Sequence, residues 1–190
     1  MNRLLRAALF AAVLAWPATA AAQLEGLRLE GGPVFLTKAG RLNFGTGSLE
    51  SDAGWALRGR LAYGLGALSI AGDFQASNQD YGESARPGAP KNLNTTFIGI
   101  TAALHPVTLA FVTPYAEVGL GKLFFKDEAI SGDTGIRAST YGLGVRMGGE
   151  RVGLDVEARL MRQSGLRVRG TVEDFKYDPK LFSVMLSLKL

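Results

Sequence analysis

The feature that most limits the folds open to this 190-residue chain is a two-residue alternation that recurs along its length. Between Trp55 and Leu65, the residues Trp55, Leu57, Gly59, Leu61, Tyr63 and Leu65 alternate with Ala56, Arg58, Arg60, Ala62 and Gly64. Successive side chains of an extended strand point to opposite faces, so this segment reads as a strand with one apolar and one polar face. A helix would scatter Leu57, Arg58, Arg60 and Leu61 around its circumference, which no amphipathic packing explains. The alternation returns from Leu68 to Gln75, Phe97 to Leu104, Pro114 to Gly121, Thr140 to Met147, Val152 to Leu160 and Phe182 to Leu190, and more weakly from Gly26 to Thr37. Eight strands are therefore expected.

The connections between them alternate as well. Lys38 to Ala53, Asn78 to Asn92, Lys126 to Gly135 and Gln163 to Pro179 are long and polar. Between them come short turns at Gly64-Leu65-Gly66-Ala67, from His105-Pro106 onward, and at Gly148-Gly149-Glu150-Arg151. The order predicts an all-β, eight-stranded antiparallel up-and-down barrel with its long loops at one end. Membrane barrels sort their connections in this way and have an even strand count. Eight spans of about 9 to 11 residues take roughly 72 to 88 residues, leaving loops and turns but no room for a second domain.

Which face is wet separates the barrel types. The charged parity holds Arg28, Glu30, Arg58, Arg60, Asp73, Glu117, Arg146, Asp155, Glu157 and Arg159, a neutral set of five cations and five anions. Many of its same-face neighbours are small, including Gly119, Gly121, Gly142 and Gly144, as a crowded lumen with long guanidinium side chains requires. Large apolar residues fill the other parity. Trp55 and Tyr63 lie eight residues apart on it, a separation of ~26 Å along a strand and ~20 Å along a membrane normal after tilting. With Tyr141 and Phe182 they are the expected interfacial aromatics. The charged parity is thus expected inside and the leucine-rich parity against lipid, whereas a soluble, lipocalin-like barrel would reverse the two.

The N-terminus points to export. Residues 1–22 begin with Arg3 and Arg6, continue through the apolar run Ala7 to Trp16, and end in the small-residue pairs of Ala18-Thr19-Ala20 and Ala20-Ala21-Ala22. This is the pattern of a cleaved signal peptide, with an apolar run shorter than the ~20 residues of a spanning helix. The expected division is a signal peptide over 1–22 and a barrel over 23–190. A formal net charge of only +4, two units of it in the signal segment, gives no basic face for nucleic acid. The absence of cysteine excludes a disulfide framework, a thiolate metal site and a lipid-modified cysteine.

Two segments carry a family resemblance. Thr113-Pro114-Tyr115-Ala116-Glu117-Val118-Gly119-Leu120-Gly121 resembles the fifth-strand signature of small outer-membrane barrels, and Tyr141-Gly142-Leu143-Gly144-Val145-Arg146 resembles the glycine-rich strand after it. With the signal segment and the C-terminal strand, the chain is similar over nearly all its length to the OmpA transmembrane-domain/OmpX-like superfamily. Members commonly end in an aromatic residue, whereas this chain ends Leu188-Lys189-Leu190. The resemblance implies a Gram-negative-type outer membrane, a monomer bathed in outer-membrane lipid, and binding to a cell-surface partner through the long loops.

An eight-stranded barrel is just wide enough for side chains to fill. The ten charges are expected to pair across it as a plug, with a narrow ion or small-solute path lined by Arg58, Arg60, Glu117 and Glu157 as the alternative. Some relatives process lipid A with a His, a Ser and an acid near the outer rim. The one histidine here, His105, falls in a short turn at the wrong end, so the chain is expected to be non-enzymatic and without cofactors. Glu50-Ser51-Asp52 and Ser131-Gly132-Asp133 offer too few oxygens for calcium. A carrier of hydrophobic ligands resembling the OmpW group would need an apolar lumen, and the expected lumen is charged. Lys122 and Arg162 fall on the lipid-facing parity late in their strands, either snorkelling towards anionic head groups or lying beyond the membrane.

Overall fold

The computed structural model describes residues 26–37, 40–44, 47–80, 92–109, 111–126, 135–149, 151–163 and 172–190. The expected signal segment and most of the second and third long connections lie outside these residues, including Ser131-Gly132-Asp133. The described strands are β1 (Gly26–Leu36), β2 (Gly40–Phe44), β3 (Gly47–Glu50), β4 (Gly54–Leu65), β5 (Leu68–Asp80), β6 (Asn92–Leu104), β7 (Val112–Lys126), β8 (Ile136–Gly148), β9 (Val152–Gln163), β10 (Val172–Tyr177) and β11 (Lys180–Lys189).

Eight of them close into a barrel in the order β1-β11-β9-β8-β7-β6-β5-β4. Every pairing around it is antiparallel, and β11 closes on β1. Once β2, β3 and β10 are set aside, neighbours in space are neighbours in sequence, which is the up-and-down topology that the alternating connections predict. The tight-turn end carries Gly66-Ala67, residues 105–109 with Phe111, and Gly149 with Arg151. Gly66 takes φ 67, a left-handed value that glycine adopts without a Cβ penalty.

The opposite end departs from expectation. Lys38 to Ala53 and Gln163 to Pro179 read as polar loops, yet they contain β2, β3 and β10, which form a second sheet in the order β10-β2-β3. Leu42 of β2 is paired with Phe175 of β10 on one side and Leu49 of β3 on the other. β2 and β3 pair as a hairpin within the first long connection, and β10 joins them from the last, a partner that neither connection announces by itself.

The burial pattern fixes the faces. Leu57 is 57% exposed, Leu120 73% and Leu143 69%, while Arg58, Glu117 and Glu157 are at most 3% exposed. Val184 lies half-buried on the same outward parity as Phe182 and Leu186. The polar side is inside and the apolar side outside, the reverse of a soluble barrel and the arrangement of a transmembrane one. Among the described residues no helix is long and apolar enough to cross a membrane.

One glycine shows why the inner parity needs small residues. A Cβ on Gly144 would fall on the Tyr115 ring, which crosses the neighbouring strand at that point.

Candidate functional site

The candidate site is the barrel interior, built from inward residues of all eight strands. Its tight-turn half is polar. Arg58 on β4 sits at the centre of that half, with Nη2 donating to Asp73 Oδ2 at 2.7 Å and Glu117 Oε1 at 2.9 Å, and Nη1 donating to Glu157 Oε1 at 2.7 Å. These four side chains have no exposed surface. Arg60, two residues along, reaches Glu117 at 2.7 Å and Glu30 at 3.4 Å and also donates to Thr101 Oγ1. Arg159 on β9 donates to Asp73 at 2.8 Å and to Gln75. Arg146 joins Glu30 to Asp155, the latter at 2.9 Å. The structure thus links nine of the ten charged residues expected in the lumen through direct contacts, and Arg28 is buried beside them at 3%. Charge-assisted bonds of this kind fix planar guanidiniums against carboxylates with defined geometry.

Three participants came without a sequence signal beyond their inward parity. Tyr115 donates its hydroxyl to Glu157 Oε2 at 3.0 Å, Gln75 accepts from Arg159, and Thr101 accepts from Arg60.

The other half of the interior corrects the expectation of a wholly charged lumen. Val34, Leu36, Ala56, Leu93, Phe97, Leu123, Ala138, Met161, Tyr177 and Leu181 pack together, none more than 4% exposed. Arg159 bridges the tiers, with its guanidinium carbon 5.8 Å from the centre of the Phe97 ring. Tyr177, at the end of β10, closes the apolar tier from above. Its ring meets Phe125 edge-on with centroids 5.6 Å apart, and its hydroxyl donates to Gln79 Oε1 at 2.8 Å. Gln79 in turn donates to the Asp52 carbonyl at 3.0 Å. The sequence places these apolar side chains on the inward parity but does not show that they share one level of the barrel.

His105 occupies the turn after β6 as expected, but its side chain is buried and shares a 3.0 Å hydrogen bond with Ser69 Oγ. Its ring lies tilted on Tyr115 with centroids 5.3 Å apart. Burial, reinforced by Arg146, Arg60 and Arg28, pushes its pKa down to about 3, so the imidazole is neutral. Among the described residues no group of three metal-ligating side chains converges. Glu50-Ser51-Asp52 sits at the end of β3, where Ser51 is buried and Asp52 half-buried.

Outside, Trp55, Tyr63, Tyr141 and Phe182 all face away from the lumen and are about half exposed. Trp55 pairs with Phe35, and Phe35 with Phe182, giving a continuous aromatic row across β4, β1 and β11 near the long-connection end. Tyr63 lies near the tight-turn end of β4. Tyr141 lies five residues into β8, between Val118 and Leu160. Lys122 and Arg162 are exposed on the outward face.

No protein-family model matches the chain, and no curated protein does. Solved structures do match. Neisserial surface protein A aligns with a TM-score of 0.61 at 17% identity, covering 87% of this chain and 98% of the other. Ail of Yersinia pestis, solved with the heparin analogue sucrose octasulfate, aligns with a TM-score of 0.46 at 14% identity over 86% of this chain and 99% of the other. A de novo designed transmembrane β-barrel gives 0.46 at 13% identity over 87% and 97%. With its closed antiparallel cylinder of eight strands, apolar outside and filled within by a charged tier and an apolar one, the chain shares the fold of the small eight-stranded outer-membrane β-barrels.

Proposed function

We propose that this protein is a non-enzymatic barrel of a Gram-negative-type outer membrane, that its lumen is closed, and that it supports envelope integrity while presenting its long-connection end at the cell surface. The observation that carries this reading is the double filling of the interior. A path for an ion would have to cross a tier of paired charges and then a tier of packed apolar side chains. Opening the first breaks buried ion pairs, and opening the second exposes apolar surface to water. The β10-β2-β3 sheet supports the surface role, because it offers a structured face where loops alone would be expected. The neutral His105 and its Ser69 partner lie inside the tight-turn end, away from both the lipid-facing wall and the surface sheet, which argues against a lipid-processing site.

Reconstitution of the full chain into planar bilayers tests the closed lumen. The expected record is a flat baseline at several voltages, from protein whose migration on a denaturing gel shifts on boiling. Regular unit steps would replace this reading with the narrow pore lined by Arg58, Arg60, Glu117 and Glu157.

A further inference from the structure

The connection between β6 and β7 is longer than the other two at the tight-turn end. Seven residues join these strands, against two between β4 and β5 and three between β8 and β9. They read His105-Pro106-Val107-Thr108-Leu109-Ala110-Phe111, with no Asp, Glu, Lys or Arg and none of the Gly, Asn or Ser that solvated turns favour. Hydrogen bonds fix the path of this segment. His105 N donates to the Ala67 carbonyl at 2.7 Å, Leu109 and Val112 exchange both of theirs at 2.7 and 2.9 Å, and Gly148 N donates to the Phe111 carbonyl at 2.9 Å. Thr113 Oγ1 donates to Thr108 Oγ1 at 3.2 Å. The segment is thus tied to the β4–β5 turn on one side and to β8 on the other.

Held in this way, Leu109 is 61% exposed and Phe111 67%. Leu57 and Leu143, which project from the lipid-facing wall, are exposed to the same degree. Bridged residues of an antiparallel pair share a face, so Leu109 stands on the face of Val112, the first outward position of β7. The apolar wall therefore continues past the start of the strand. At this end, among the described residues, the strands put one aromatic outward, Tyr63 on β4. The last outward positions of β6, β7, β8 and β9 are Leu104, Val112, Met147 and Val152. Phe111 adds a ring on that side, three strands around the wall from Tyr63.

We propose that the β6–β7 connection is a lipid-embedded anchor, with Leu109 and Phe111 seated at the boundary between acyl chains and head groups in the leaflet around the tight-turn end. Continuity selects lipid as the occupant, because Leu109 prolongs a face that lipid already covers. The segment also offers no charge with which a polar protein surface would pair. Aromatic rings favour this boundary. The hydrogen-bonded frame is already in place, so seating the two side chains orders little further backbone. Interfacial anchors set the angle at which a spanning element sits. With Tyr63 at one point of the wall and Phe111 at another, the cylinder is held against rocking. This inference rests on the reading of the chain as membrane-spanning and extends it by placing a connection, and not only strands, in the bilayer.

The test uses the full chain folded into phosphatidylcholine vesicles whose acyl chains carry bromine at a shallow or a deep carbon, since bromine quenches only indoles within its reach. The chain has two tryptophans, Trp16 and Trp55. Trp16→Phe/Trp55→Phe/Phe111→Trp, and the same background with Leu109→Trp, each carry a single indole in the connection. The boiling-dependent gel shift selects folded protein, and either variant suffices if the other fails to fold. Shallow bromines should quench these indoles about twofold, and aqueous iodide should quench them far less than in urea-unfolded chain. Trp16→Phe leaves Trp55 as the reporter of the wall. Adding Leu109→Ser/Phe111→Ser to it should change the shallow-to-deep quenching ratio of Trp55 by about twofold as the barrel loses its second anchor. Connection indoles open to iodide and untouched by bromine, with Trp55 quenched, overturn the anchor alone and leave the segment to a protein partner. An unchanged Trp55 ratio in the serine variant overturns the role in depth and tilt. A Trp55 that no bromine quenches overturns the membrane reading and the anchor together.

Discussion

Replacing Arg58 by Met keeps an unbranched apolar stem and removes the guanidinium that three carboxylates share. The structure indicates which of them suffers. Asp73 retains Arg159 at 2.8 Å and Glu117 retains Arg60 at 2.7 Å. Glu157 is left with the Tyr115 hydroxyl at 3.0 Å and two distant guanidiniums, Arg60 at 3.7 Å and Arg159 at 3.8 Å. The loss is therefore that of one partner from a buried ion pair, about 3 to 5 kcal/mol, concentrated at Glu157. Adding Glu157→Gln to Arg58→Met removes the stranded charge at almost constant volume and should recover about 1 to 3 kcal/mol. Trp55, on the lipid-facing wall, reports unfolding by its fluorescence, so urea titrations in vesicles measure all three proteins. A stability for Arg58→Met within about 1 kcal/mol of the wild type, or a second substitution that restores nothing, would refute a buried, desolvated pair. Either result would mean that the interior is wet enough to solvate a carboxylate.

Three further outcomes are expected. His105 is neutral when folded, with a pKa of about 3 against an ordinary value of 6.5. The unfolded chain therefore binds the extra proton between these values, and the stabilisation is complete above pH 6.5 and lost as pH falls toward 3. His105→Gln should show a flatter dependence than wild type between these limits, and parallel curves would show that the imidazole is hydrated. Leu123→Ala should cost about 2 to 5 kcal/mol in urea by hollowing the apolar tier, yet leave bilayers silent because the charged tier still blocks the path. Gly144→Ala should cost about 1 to 3 kcal/mol, since the new methyl group displaces the Tyr115 ring that holds Glu157. An unchanged midpoint would show that Tyr115 can move aside.

The sequence by itself determined the number of barrel strands, their up-and-down order and the side of each strand that faces lipid. It could do so because a period of two assigns every residue to a face, and a one-residue slip in register would turn Leu57 inward and Arg58 outward. Tertiary structure alone decided who meets whom inside. Arg58 on β4 and Glu157 on β9 are ninety-nine residues apart, and their contact depends on the tilt and stagger with which the cylinder closes. The same stagger brings Phe97, Leu123, Met161 and Leu181 to one level and makes half the lumen apolar, although each merely alternates with its neighbours in sequence. The docking of β10 on the β2–β3 hairpin was likewise decided by segments from the two ends of the chain that meet only when the ring is closed. Parity is a local property of a strand, whereas height and facing partner are properties of the closed barrel.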